Sequence, residues 1–421
     1  MFHRIAKALC SLRLTVTLLA FGIILIFVGT VAQADADVGL YKAQELYFKH
    51  WWVWGLHLFG YKVPMFLPGG YLIGTLLLVN LTAAFIQRFQ FTRKKIGIHL
   101  THVGIILLLV GQLTTDLFSR ETQMRMAEGE SRSWSESGMT YELAFSTDAE
   151  GGKEQVVAIP ESIVSSRKEI THEKLPFTIR VKSYWPNSDP AFRAPMQQGG
   201  APLTTNGVAL SFDFRQIPVT RSMDSKNVPT AILELVASGR SLGDWVASGW
   251  TADETMALAV RRSYLNQAGP QMADSILARL TEMQKLTVNG REYRFALRPT
   301  RAYKPYSMEL LKVTHSKYPG TEIPKDFRSR VRIQHPAKSE DREVEIYMNS
   351  PLRYDGLTFY QYQMVGEELA MQYKETPSTV LQVVRNPSWL TPYIGCVVVA
   401  SGMVVQFMIH LVGFISRRKA A

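Results

Sequence analysis

Four runs of apolar residues, at 14–32, 66–85, 96–113 and 390–414, are each long enough to cross a bilayer as a helix. Between the third and the fourth lies a long polar stretch. A chain divided in this way reads as a polytopic membrane protein with one large aqueous domain. The overall hydrophobic content of 46 % is ordinary for a soluble protein, so the average conceals the segregation.

The charges orient the runs. Net charge is +11, and much of it flanks the apolar segments. Arg4, Lys7 and Arg13 precede the first run, Arg88, Arg93, Lys94 and Lys95 lie between the second and third, and Arg417, Arg418 and Lys419 follow the fourth. With four spans all three clusters fall on one side, which the positive-inside rule makes cytoplasmic. Both termini are then cytoplasmic, and the polar domain and the loop 33–65 lie in the periplasm of a bacterial inner membrane. The remaining basic residues form no dense stripe, which argues against nucleic acid as a partner. The first run ends in Ala32-Gln33-Ala34, the pattern of a signal-peptidase site, but it exceeds a usual signal core and is read as a retained span.

The third run carries two histidines, His99 and His102, within its first two turns. Ionisable side chains at membrane depth are costly, and imidazole is a good iron ligand, so this pair is a candidate haem site. The alternative for each is a plain hydrogen bond to a neighbouring helix. His410 in the fourth run is seven residues before Arg417, as His102 is seven after Lys95, which predicts similar depth for the two. Residues 40–60 hold Trp51, Trp52 and Trp54 beside His50 and His57, and are expected to form a short amphipathic helix on the outer membrane surface. His50 and His57 would share a face of it, as a possible outer haem or partner site.

The domain plan is three transmembrane helices in 1–118 (about 14–32, 66–86 and 96–116), a periplasmic domain at 119–388, and a final span with a basic tail at 389–421. In the periplasmic domain, 121–139 reads as a polar stalk. Short alternating segments at 141–145, 177–185, 208–214, 231–236, 308–314, 328–334, 344–348 and 357–364 read as strands. They predict an all-β, sandwich-like domain. A helical insert at about 251–285 interrupts it, opened by a capping box from Thr251 to Glu254. Asn289-Gly290 predicts a tight hairpin turn.

No catalytic motif stands out. His172, His315 and His335 are isolated, and there is no Gly-x-Ser-x-Gly elbow or phosphate-cradling glycine loop. The two cysteines are Cys10, at the inner edge of the first span, and Cys396, inside the fourth. With no Cys-x-x-Cys and no Cys-x-x-Cys-His, neither thiol redox chemistry nor covalent attachment of haem to this chain is available.

Three blocks resemble the ResB (CcsB) family of system II cytochrome c biogenesis proteins. They are SLRLTVTLLAFGIILIFVGT, the helix ending HVGIILLLVGQL, and the stretch from YPGTEIPKDFRSRVRI through IYMNSPLRYDGLTFYQYQM to VVRNPSWLTPYIGCVVVASGMVV. The resemblance is weak over about 150–285. It implies a membrane subunit of a cytochrome c synthase, working with a CcsA-type partner to carry haem outward and attach it to apocytochrome c. Haem b would be a transient substrate and His102 an axial ligand. The chain would be a non-catalytic or co-catalytic subunit of this haem lyase, dependent on thiol-reducing proteins of the same pathway. His99 and His410 rest on spacing alone. Two other functions fit the residues: a b-type haem electron-transfer subunit, and a membrane-anchored protein-binding scaffold.

Overall fold

The computed structural model describes residues 8–35, 38–149, 153–193, 201–220, 226–318 and 324–420. Arg4 and Lys7 of the first basic cluster, and residues 319–323 of the third family-like block, lie outside them. The main helices in chain order are α1 (Leu12–Gln33), α2 (Gly70–Arg88), α3 (Ile96–Phe118), α4 (Glu254–Ala268), α5 (Pro270–Leu280) and α6 (Thr391–Ala420). The chain divides into two compact units: one holds α1, α2, α3 and α6, and the other spans most of residues 121–385.

In the helical unit α1, α2, α3 and α6 are long and apolar enough to cross a membrane. Their interior is sparse, and polar or very small residues set their pairing. Asn80 of α2 is buried, donates to the carbonyls of Leu9 (2.5 Å) and Ser11 (3.2 Å), and accepts from Thr15 Oγ1 (2.6 Å). It thereby joins α2 to the start of α1 and the residues before it, with both amide hydrogens donated and its oxygen accepting, a low-cost state for an amide in an apolar setting.

α3 and α6 pair differently, through glycine. Gly97, Gly104 and Gly111 recur every seven residues on α3, and Gly395 and Gly402 do the same on α6. A Cβ on Gly97 would lie 2.5 Å from Gln406 N and Gly402 O, one on Gly104 would lie 2.6 Å from Val399 Cγ2, and one on Gly111 2.5 Å from Thr391 Cγ2. The backbones touch where side chains would otherwise stand, as in small-residue helix seams of membrane proteins. The contacts also make the pair antiparallel and fix its register. Thr115 and Ser388 share a 2.7 Å bond near the start of α6, and Ser388 Oγ donates to the Gly111 carbonyl at 3.1 Å.

Residues 40–60 do not form the expected helix. A short helical stretch from Gly39 to Phe48 gives way to a hairpin of β1 (Trp52–Leu58) and β2 (Tyr61–Pro68). Aromatic and aliphatic residues crowd both faces of this segment, so its helical and strand periods are equally well populated. Gly55 and Gly60, both at positive φ, decide for a bulged hairpin. The inner face, with Val53, Leu56 and Leu67, packs with Leu25, Val28 and Ala32 of α1 and Ile73 of α2. Gly69 and Gly70 then allow α2 to start against the hairpin, since a Cβ on Gly69 would sit 2.1 Å from the His50 carbonyl oxygen.

The second unit is β-rich, as expected, with two hydrophobic cores on its long strands and a third cluster that joins the helical insert to β9 and β11. Its strands are β3 (Arg120–Ala127), β4 (Ser131–Ala149), β5 (Lys153–Pro160), β6 (Glu169–Ile170), β7 (Thr178–Trp185), β8 (Ser188–Phe192), β9 (Phe212–Gln216), β10 (Thr230–Ala237), β11 (Arg240–Ser248), β12 (Gln284–Val288), β13 (Arg291–Lys317), β14 (Pro324–His335), β15 (Glu340–Tyr347), β16 (Leu352–Tyr354), β17 (Leu357–Val365) and β18 (Ser378–Arg385). The long strand β13 lines both of the first two cores, and β4 joins it in the first. In the first core their inward residues Leu143, Phe145, Phe295 and Leu297 meet the sheet β11-β10-β7-β6. In the second, the path β15-β14-β13-β4-β3-β18-β17-β16 curls until its ends approach each other. Ser329 of β14 donates to Gln361 Oε1 of β17 (2.7 Å) and its Oγ lies 2.9 Å from Thr379 Oγ1 of β18, and Tyr354 of β16 donates to Glu340 of β15 (2.6 Å). The region is thus a nearly closed sheet, where the sequence suggested a sandwich.

Strand β14 shows why it closes. Ser329, Val331, Ile333 and His335 are buried while Arg328, Arg330 and Arg332 point out, and these pair across to Glu345, Glu343 and Asp341 of β15. The polar stretch 121–139 is strand as well, because Met124 and Met126 alternate into the core and Arg132 is buried against Glu130 (2.5 Å). Residue type alone hid this, since the buried charges there are paired ones.

The helical insert is α4 and α5. Asp253 caps α4, accepting from the backbone N–H of Thr255 (3.1 Å) and Met256 (3.3 Å), while Thr251 turns back to the Ser248 carbonyl. The cap is therefore two residues later than the expected box. α5 ends at Leu280, because Gln284 onward pairs with β13 around the Asn289-Gly290 turn, both residues at positive φ. Arg261 and Arg262 of α4 reach Glu375, the latter by two bonds of 2.8 and 2.5 Å, and Arg261 also donates to Asp274 of α5 at 2.6 Å.

Candidate functional site

The α3–α6 register places the intramembrane-type histidines individually. His99 points toward α2: its Nε2 donates to the Gln90 carbonyl at 2.8 Å, and its ring packs against Phe89 (4.7 Å) and Phe85 (5.7 Å). His102 lies one turn on. Its Nδ1 donates to the Ile98 carbonyl at 2.8 Å, which assigns the proton to Nδ1 and leaves a lone pair on Nε2. Phe85 stacks beside it at 6.2 Å, with ring planes 18° apart.

On its other side His102 lines a groove of about 330 Å³ with Ile98 and Thr101 of α3 and Met403, Gln406 and Phe407 of α6. The glycine seam creates it, because Gly97 and Gly104 bring the helices together without filling the space beside them. Gln406 Nε2 approaches His410 Nε2 at 3.0 Å, while Gln406 Oε1 is buried without a hydrogen-bond partner. An orphaned amide oxygen in an apolar groove is a costly state that a polar guest would relieve.

His102 and His410 are not level. Gly97 meets Gly402 and Gln406, so His410, a turn beyond Gln406, lies past this crossing toward the basic loop, and His102 lies on the opposite side of it. The equal spacing to Lys95 and Arg417 misled because α6 continues as helix through its basic residues. At 1.5 Å per residue the separation along the axes is roughly 10–15 Å. His410 joins the groove only through Gln406, one helical turn before it. That i, i+4 pair was legible in the sequence, whereas Met403 and Phe407 carry no chemical signature of their own.

The outer residues are dispersed by the hairpin. His50 precedes β1 and its Nδ1 donates to the Glu45 carbonyl at 2.5 Å. His57 lies in β1 opposite Lys62; its backbone N–H donates to Tyr47 Oη at 2.8 Å, and its Nδ1 is buried with no partner. Trp52 stacks on Phe66 at 4.8 Å, Trp54 tilts against the same ring at 4.8 Å, and Trp51 lies outside the strand. Among the described residues no three His, Cys, Asp or Glu side chains cluster as a metal site.

In the β unit, Lys304 is the most perturbed cation with room to titrate near neutrality. Burial pushes its pKa down to about 8. Its ammonium donates to Ser135 Oγ at 2.6 Å and to the Ala302 carbonyl at 3.1 Å.

With this geometry known, comparison with other proteins places part of the chain. The ResB-like family model matches residues 271–377. This ResB-like segment runs from α5 through β17, so it contains most of the nearly closed sheet and about a quarter of the chain. A stretch of 127 residues, 30 % of the chain, is 24 % identical to Protein NrfI of Wolinella succinogenes (strain DSM 1740). It covers 13 % of that protein's length. The ResB likeness read from the sequence is therefore met by a family match, and it rests on the β unit.

Proposed function

We propose that this chain is a membrane subunit for cytochrome c biogenesis that binds haem as a substrate beside α3 and α6 and passes it outward for attachment to apocytochrome c. The ResB-like segment supports the biogenesis role. The observation that carries the haem reading is His102, an imidazole with its proton held by the Ile98 carbonyl and its Nε2 lone pair available, lining an apolar groove. This is the donor that haem iron takes, and its tautomer is fixed in advance. His99 fits less well, since its Nε2 is engaged by Gln90 and aromatic rings surround it. Ile98, Met403 and Phe407 would contact the macrocycle and keep water from the iron. Gln406 Oε1 would accept a hydrogen bond from a polar edge of the guest. The groove is at the small end of the usual range of about 300–1,000 Å³ for ligand sites, so a CcsA-type partner would cover the remainder and supply the second axial ligand.

The basic residues Arg13, Arg88, Arg93–Lys95 and Arg417–Lys419 support a bacterial inner-membrane protein with both termini cytoplasmic and the β unit in the periplasm. The groove would then lie near the inner face, where haem enters. Reductants for haem and for acceptor cysteines would come from thiol-reducing proteins of the pathway, because Cys10 and Cys396 are both free thiols in the helical unit. Purification of the chain with its partner, followed by haem spectroscopy, tests this. His102→Ala should lower co-purifying haem at least tenfold and abolish holocytochrome c; unchanged cytochrome c would refute it.

A further inference from the structure

The outward face of the β1–β2 hairpin lies apart from the groove beside His102, and it concentrates exposed aromatic surface. Trp52, Trp54 and Phe66 form one stacked patch, with Trp54 76 % exposed. Its neighbours along the hairpin are polar in a defined place. The bulge at Gly55 re-aims the strand so that His57 and Lys62 are cross-strand partners, and the Lys62 chain crosses over Gly55, 2.9 Å from where a Cβ would stand. One face therefore carries an aromatic half and a cationic half.

The depth of this face follows from what lies beneath it. The inner side of the hairpin packs on Leu25, Val28 and Ala32 of α1, and the preceding Phe48 ring lies 2.8 Å from a Cβ position on Gly29. Gly29 is four residues and Leu25 eight residues from the end of α1, so the hairpin lies beside the last turns of that helix, within about 12 Å of its end. The hairpin is also continuous with α2 through Gly69-Gly70. If α1 and α2 span the bilayer, a segment at this level is in the headgroup zone of the outer leaflet, the depth of about 5–10 Å used by interfacial anchors. Its sheet has two strands, so each has an edge, and backbone groups directed outward there are satisfied by headgroups and water but not by hydrocarbon.

We propose that the aromatic face of the β1–β2 hairpin is a lipid-binding surface, lying against outer-leaflet phospholipid with Trp52, Trp54 and Phe66 at the glycerol level and Lys62 on the phosphate. Tryptophan belts take this position because one part of the indole is apolar and its N–H is a donor. The proposal rests on the four-span reading but not on haem binding.

The test places the full-length protein in phosphatidylcholine nanodiscs with bromine at either the 6,7 or the 11,12 position of one chain, and reads tryptophan quenching. Native protein should be quenched more by the shallow bromines. The variant Trp52→Phe/Trp54→Phe should lose at least half of that quenched intensity, leaving the Trp51 and Trp389 contributions. A quenched intensity equal in native and variant protein would overturn the lipid assignment and indicate that another protein segment covers the face. Absence of quenching in both, with extraction of the chain by alkaline carbonate, would overturn the spanning reading and this surface with it. Far-ultraviolet circular dichroism of the variant separates loss of the reporters from loss of the fold, and Lys62→Glu, which keeps every tryptophan, should reduce the shallow quenching.

Discussion

The α3–α6 pair and the nearly closed sheet are held together by opposite means. Along α3 the contact points are Gly97, Gly104 and Gly111, where the absence of a side chain lets backbones meet. In the sheet they are Tyr306, Phe359, Leu381 and Val383, where large side chains fill the interior. Helices long and apolar enough to cross a membrane would gain little there from burying apolar surface, so close van der Waals approach would decide their pairing, whereas a sheet in water gains from every apolar group it buries. The helical pair should therefore fail when atoms are added, and the sheet when they are removed.

The largest effect is expected in the sheet. Phe359 is fully buried, and Phe359→Ala should cost about 3–5 kcal/mol, read as a lowered denaturation midpoint of the full-length protein. A cost near that of a surface substitution would show that the core is not packed as described. Next comes the ion pair behind the helical insert, where Glu375, 7 % exposed at its side chain, receives both Arg261 and Arg262. Glu375→Ala removes both hydrogen bonds of Arg262 and one of the two carboxylates beside the buried Arg261, which keeps Asp274, and should cost about 2–3 kcal/mol.

In the helical unit the sign reverses. Gly104→Ala adds one methyl, 2.9 Å from Val399 N and 3.1 Å from Gly395 O, backbone atoms that cannot swing away. It should lower the thermal midpoint in detergent by an amount equivalent to about 1–3 kcal/mol. Gly413→Ala on α6 has nothing within 4 Å of the new Cβ and should be neutral or slightly stabilising through better helix propensity. Equal effects of the two substitutions would remove the seam from the account of α3–α6 pairing.

The smallest effect is a pH dependence in the β unit. Burial lowers the Lys304 pKa from 10.5 to about 8, so the folded state disfavours the ammonium. Between these values the unfolded chain binds more protons, so this residue's contribution to stability rises with pH from about 8 to about 10.5 and is at its least favourable below 8. Lys304→Met should raise stability at pH 7 and flatten that rise; an unchanged pH profile would show the amine to be solvated.

The sequence was most informative where a physical pattern is local. Apolar runs located all four long helices, α1, α2, α3 and α6, and alternation located β7, β10 and much of β14 and β17. Asn289-Gly290 gave its hairpin, since positive φ at both positions is a residue-level constraint. Errors arose where the deciding fact was long-range. Met124 and Met126 are core residues only because β3 pairs with β18, so the flanking polar residues made them look like a stalk. The 40–60 segment satisfied a helix and a strand pattern equally, and α1 and α2 select the hairpin by packing on its inner face. In the candidate site, His102, His99 and His410 were legible because imidazole is conspicuous in an apolar run. The groove was not, since Met403, Gln406 and Phe407 meet His102 only through the glycine register.

The most direct test is the haem content of the partner complex carrying His102→Gly, measured by absorption spectroscopy with and without added imidazole. Loss of the haem spectrum and its partial return with imidazole are expected if the His102 ring is the ligand, while His99→Gly retains haem. Full haem content in His102→Gly without imidazole would contradict the assignment.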